Sequence, residues 1–322
     1  MKIDCHVHLG VCPLFYFQGW SPYALGLPEF LVEAARLGID RAVVFPFVSY
    51  LGLDFADLLK GKISFSGAFD HVPYRFENRR LLEEIYCLHP QSADRVIPFL
   101  MADPGRFPEA QVSEWKLLVQ QFKIFGIKIQ ATVIQSPITE LLGNASCMLD
   151  FAAENNLPLL IHSSIDPSDE WSQCADILKV AESRPNVRFL LAHSCRFDEA
   201  TLRRVAELPN VWFDCSAHVI HCECAARDLP TVAPVEKRFT SDFSSPETVL
   251  QDLAAAFPNK LIWGSDAPFY SYADSSIQLQ SSYAREVDCL NSLPDDLRDR
   301  ACRQNTLAWL EGWPSKPLST NL

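Results

Sequence analysis

The 322-residue chain has no long hydrophobic run. Its longest apolar stretches, such as 157–161 and 187–192, have the length of a strand, well short of the roughly 20 residues that a membrane-spanning helix needs. No apolar segment of a secretory leader follows Lys2, so the expected compartment is the cytoplasm. There is no excess of basic charge: 28 Lys and Arg stand against 40 Asp and Glu, a formal charge of −12 with a pI near 5.1. An acidic surface argues against nucleic-acid backbones and anionic membranes as partners and leaves small molecules. The chain lacks internal repeats, low-complexity tracts and any linker of changed composition. It also lacks Gly-x-Gly-x-x-Gly after an early strand, the phosphate loop expected of an open doubly wound sheet.

Cysteine, by contrast, is plentiful. Eleven residues, odd in number and irregularly spaced, do not make a disulfide framework in a chain this long. They read as buried small hydrophobes or free thiols. The cluster His221-Cys222-Glu223-Cys224 has metal-ligand chemistry but no C-x-x-C counterpart. Incidental cysteines on a loop are the first reading of it and a structural zinc the second.

The 48% hydrophobic and 21% charged content is ordinary for a protein with a sizeable core. Apolar runs at 2–8, 41–48, 94–101, 124–130, 157–162, 187–193, 211–215 and 260–265 read as eight strands. Between them, helical patterns are expected at 28–37, 76–88, 108–122, 139–155, 170–183, 197–208 and 246–257. Two more, near 278–290 and 295–311, close the chain. This alternation predicts a single (β/α)8 TIM barrel over 1–322, with long loops at 49–75 and 216–245 and a frayed tail at 312–322.

In such a barrel the chemistry lies at the C-terminal strand ends. Strand one ends in Asp4-Cys5-His6-Val7-His8, whose alternation puts Ile3, Cys5 and Val7 on one face and Asp4, His6 and His8 on the other. Strand four carries Lys128, strand five ends in His162, strand six in His193 and strand eight in Asp266. Four of the chain's eight histidines and an aspartate on one rim point to a metal site. Arg196, three residues past His193, could meet a substrate carboxylate through a bidentate contact, or serve only to start a helix. His71, Tyr74, His218 and His221 are weaker loop candidates. The aromatics Phe15, Tyr16 and Trp20 suit either a pocket for a flat substrate or a seal over the barrel end.

In order and spacing, Asp4-Cys5-His6-Val7-His8, Gly126-Ile127-Lys128, Ile161-His162, Ala192-His193-Ser194 and Gly264-Ser265-Asp266-Ala267-Pro268 make the chain resemble the amidohydrolase superfamily, in its family 2 branch. That resemblance implies that His6, His8, His162 and Asp266 ligate a divalent metal, zinc ahead of manganese and one ion ahead of two. It makes Asp266 and His193 the catalytic residues and Lys128 a positive charge near the pocket; Lys128 and, from its position alone, Arg196 are the substrate-binding candidates. In two-metal relatives a strand-four lysine is carboxylated and bridges the ions. The implied reaction is hydrolysis of a small ester, lactone or amide-type substrate. The alternative is decarboxylation of an aromatic or unsaturated carboxylate on the same metal shell. A barrel deoxyribonuclease would carry a glutamate where Lys128 stands, and a non-catalytic barrel would lack a ligand. Barrels of this kind often pair, which leaves a homodimer open.

Overall fold

The computed structural model describes residues 1–68 and 71–310, so the tail expected at 312–322 lies outside the described residues. Eight parallel strands form in the expected order. They are β1 (Ile3–Val11), β2 (Arg41–Pro46), β3 (Val96–Ala102), β4 (Gly126–Ile129), β5 (Leu159–Ile161), β6 (Phe189–Leu191), β7 (Val211–Asp214) and β8 (Leu261–Ile262). Each pairs with the next, and the antiparallel strand Ala24–Leu25 lies on the outer end of β1. The curl closes where β8 returns to β1. There Cys5 N–H donates to Trp263 O at 3.2 Å and His8 N–H to Ala267 O at 2.7 Å.

The strands are apolar on both faces because both are covered. On β2, Val43 and Phe45 face the barrel interior while Ala42 and Val44 pack under helices. Ile97 and Phe99 repeat the pattern against Val96 and Leu100, as Leu160 does against Leu159 and Ile161. Trp309 closes the interior, 5.4 Å ring to ring from Phe99.

β1 departs from the expected alternation. Ile3 and Cys5 sit in the interior cluster, whereas Val7 and Leu9 sit among the helices. The pairing register with β2 shifts between Asp4 and Val7, so a bulge inverts the parity. His6 and His8 therefore turn inward after Ile3 and Cys5 have done so. Asp4 instead accepts from Ser265 N–H (2.9 Å), Ser265 Oγ–H (2.6 Å) and Tyr283 Oη–H (3.1 Å).

Other expectations are refined. The helix read at 139–155 is a 3-10 turn, Ile138–Leu142, followed by a helix at Ser146–Glu154, with Gly143 outside the helical region between them. The stretch at 216–245 holds a helix, His218–Ala226, and the aromatic loop after β1 holds one at Pro13–Gln18. The helix read at 278–290 starts at Tyr283, because Gln278–Leu279 pairs with Tyr272–Ala273 as a short hairpin. All eleven cysteines are free thiols. Cys87 is exposed, Cys147 half-buried, and the other nine are buried.

Gly264 marks the seam. A Cβ there would lie 2.8 Å from Cys5 Sγ and 2.9 Å from His6 Cβ. Gly264→Ala is expected to destabilise the protein by about 1–3 kcal/mol, read by urea unfolding.

Glu286, wholly buried, joins helix Tyr283–Asn291 to the start of helix His218–Ala226. Its Oε1 accepts from Ser281 Oγ–H at 3.0 Å and Val219 N–H at 3.3 Å, while Oε2 has no partner. Burial pushes this carboxyl up to about 8. The folded protein thus keeps a proton that the unfolded chain releases near pH ~4.3, and stability falls as pH rises between those two values. In a pH series of melting temperatures, Glu286→Gln should gain steadily on the wild type across that window and level off above it. A flat difference would mean that the folded protein carries Glu286 ionised.

Candidate metal centre and active site

The barrel closure sets β1 and the turn after β8 side by side, and three ligand atoms converge there. His6 Nε2 lies 3.2 Å and His8 Nε2 3.3 Å from Asp266 Oδ1. All three residues are buried, and their ligating atoms lie within 4.8 Å of one another. Asp266 Oδ1 makes no hydrogen bond. Asp266 itself has φ +63°, a left-handed conformation that aspartate tolerates better than most residues. Burial pushes its carboxyl up to about 6, against the pull of His6 and Lys128.

Lys128 projects inward from β4. Its Nζ is 3.1 Å from His6 Nε2 and 5.1 Å from the centre of the Phe45 ring. Burial lowers its ammonium to about 8, only partly offset by Asp266 and Asp214. Burial, reinforced by the Lys128 charge, also lowers His6 and His8, favouring neutral imidazoles.

On the far side, His193 Nε2 meets His162 Nδ1 at 3.0 Å, and Arg196 Nη2 meets His162 Nε2 at 3.1 Å. Arg196 also donates through Nε to Ser163 O at 2.8 Å and through Nη1 to His221 Nε2. Both His193 and Arg196 ride on a turn of their own, where the sequence predicts a strand end at His193 and a helix from 197 with Arg196 at its entry. Residues His193 to Phe197 all have positive φ, from 48° to 62°, and the helix proper begins at Glu199. A left-handed turn costs L-residues about 1–2 kcal/mol each. Here it is pinned by His193 N–H on Asp214 Oδ1 (2.9 Å), Ala233 N–H on Arg196 O (2.9 Å) and Phe239 N–H on Phe197 O (2.8 Å).

The sequence model of the amidohydrolase family matches residues 3–311. The chain belongs to the amidohydrolase family. No curated protein matches it in sequence. Among solved structures it is similar to an uncharacterized TIM-barrel protein of Bordetella bronchiseptica (10% identity, TM-score 0.60, covering 96% of this chain and 98% of that one). It is also similar to a dihydroorotase of Campylobacter jejuni (14%, 0.55, 95% and 82%). A third is an IDCase of Metarhizium anisopliae in apo form (12%, 0.56, 96% and 97%). At these identities the likeness is one of fold.

Amidohydrolases are generally metal-dependent, and the residues present in this one fit a divalent ion. Two neutral imidazole nitrogens flank a buried carboxylate oxygen that has no proton donor of its own. Of the four ligands the resemblance implied, His6, His8 and Asp266 stand together. His162 stands apart from that trio, between His193 and Arg196.

Among the weaker candidates, His221 joins the site through Arg196 and lies 4.9 Å ring to ring from His193. Phe15 packs on Phe269, which caps His8 at 5.0 Å, and Trp20 packs on Phe15. Tyr16 is exposed beside Tyr23, Tyr74 donates to Val48 O, His71 lies against Phe65, and His218 bonds Pro246 O. Cys222 and Cys224 are buried residues of the helix His218–Ala226 and do not lie on a loop as expected. Sequence reading passed over Asp214 at the end of β7. The strand-end rule that found the histidines would have found it.

Ser194, second in the left-handed turn, has φ +50° and a buried hydroxyl with no partner. Ser194→Gly is expected to be neutral or to stabilise by up to about 1 kcal/mol, and Ser194→Val to destabilise by at least about 1–2 kcal/mol. Urea unfolding of the pair checks this.

Proposed function

We propose that this amidohydrolase is a metal-dependent hydrolase of a small ester, lactone or amide-type substrate. The observation that carries the reading is the convergence of His6, His8 and the partnerless Asp266 oxygen at the barrel mouth. An ion held there, zinc ahead of manganese, would polarise the bond under attack and acidify water; His162, the fourth ligand of the resemblance, would join it only by giving up its contact with Arg196.

The chain's own groups supply the rest. Asp266, a carboxylate above pH ~6, takes the proton of the attacking water. His193 faces the same space, 3.8 Å from Asp266 Oδ2 through Nδ1, and would hydrogen-bond the group being cleaved by exchanging its Nε2 contact with His162 for the substrate. Lys128 and Arg196 hold the anionic part of the substrate. Phe15, Trp20 and Phe269 roof the His8 side against water.

A second reading, decarboxylation of an aromatic or unsaturated carboxylate, is favoured by Arg196. Its guanidinium is buried, and its three hydrogen bonds go to neutral acceptors, His162, His221 and Ser163 O. A substrate carboxylate would balance that charge.

Metal analysis of the purified protein beside His6→Ala and Asp266→Asn tests the site. About one ion per chain is expected, with loss in both variants. Near two would make Lys128 a carboxylated bridge. A wild type without metal would overturn the reading. Release of CO2 from a carboxylated substrate would select the lyase.

A further inference from the structure

We infer that Asp214 and Ser216, acting as one unit at the end of β7, are the positioning residues that turn the Nε2 lone pairs of both His6 and His193 into the site. The inference rests on the metal reading above. The Asp214 carboxylate is wholly buried and its two oxygens serve different strands. Oδ2 is 2.9 Å from His6 Nδ1, and Oδ1 accepts from His193 N–H (2.9 Å), Ser216 N–H (2.9 Å) and Ser216 Oγ–H (2.6 Å). With three donors already on Oδ1 and an imidazole nitrogen on Oδ2, the group is arranged as a carboxylate, which only accepts.

Proton placement then follows. Because Asp214 cannot donate, the His6 proton must sit on Nδ1, which leaves Nε2 as the lone pair facing Asp266 and Lys128. Ser216 Oγ spends its proton on Asp214, so at its 2.9 Å contact with His193 Nδ1 it accepts, and His193 also carries its proton on Nδ1. The Ser216 carbonyl, 3.2 Å from the same nitrogen, can only accept as well. Nε2 of His193 is thereby the lone pair that meets His162. One carboxylate thus orients an imidazole from β1 and another from the turn after β6, and the same oxygen that anchors Ser216 pins the first N–H of the left-handed turn.

Asparagine at 214 cannot do this. Its amide accepts on one side only, so either His6 or the cluster of N–H and O–H donors would face an NH2 group. The test is Zn2+ affinity by competition with a chromogenic chelator, on wild type and Asp214→Asn. Circular dichroism and melting of the metal-free proteins establish that both are folded. Asp214→Asn is expected to bind Zn2+ about 10- to 100-fold more weakly. Long-range proton–nitrogen NMR of the metal-free wild type, labelled at histidine, is expected to show His6 and His193 both protonated at Nδ1. This second measurement needs no variant and no bound ion. Folded Asp214→Asn with wild-type Zn2+ affinity, or either ring protonated at Nε2, overturns the assignment while leaving the metal site standing. A wild type that binds no Zn2+ overturns both.

Discussion

The site exists because the barrel closes at one seam. Residues 6 and 8 reach residue 266 only where β8 returns to β1, and that approach is held by few contacts: two backbone hydrogen bonds and the carboxylate of Asp4. Asp4 ties Ser265 N–H, Ser265 Oγ–H and Tyr283 Oη–H to the first strand, one residue before Asp266 and two before His6. Gly264 allows the backbones to come that near. The bulge after Asp4 completes the arrangement, because it lets one short strand aim a carboxylate outward into the seam and two imidazoles inward.

Electrostatically the interior is nearly balanced, at a cost. Lys128 and Arg196 bring positive charge into a space from which water is largely excluded, with Asp214 and Asp266 opposing them. The histidines respond by staying neutral, so their lone pairs remain free for ligation or for accepting hydrogen bonds. Neutral imidazoles between fixed charges pass a preference for orientation from one ring to the next. Arg196 donates to His162, and the chain of contacts runs on through His193 and Ser216 to Asp214 and His6.

Much of this was legible in the residues alone. All eight strands, and the histidines at their ends, follow from apolar runs and the geometry of a parallel barrel. What escaped was local backbone geometry. The parity of β1 depends on a register shift that no alternating pattern announces. The left-handed turn at His193–Phe197 contains no glycine to advertise positive φ, so the pattern runs from a strand end at His193 to a helix at 197 with nothing to mark the turn between them. His221 stands in the sequence only as a weak loop candidate, because its contact with Arg196 depends on a helix, His218–Ala226, in a stretch without clear helical period. Asp214 was missed because an aspartate closing an apolar strand looks like an ordinary boundary residue until the groups around it are seen.

The thiols carry a different consequence. Nine of the eleven are sealed in the core and Cys147 partly so, leaving Cys87 as the one open to solvent. Burial raises Cys5, Cys195, Cys215 and Cys222 far from the thiolate form that oxidants attack. Redox inertness is therefore lent to this cysteine-rich chain by its tertiary structure and lasts only as long as that structure does. Oxidation of the interior sulfurs would be a symptom of unfolding, not its origin.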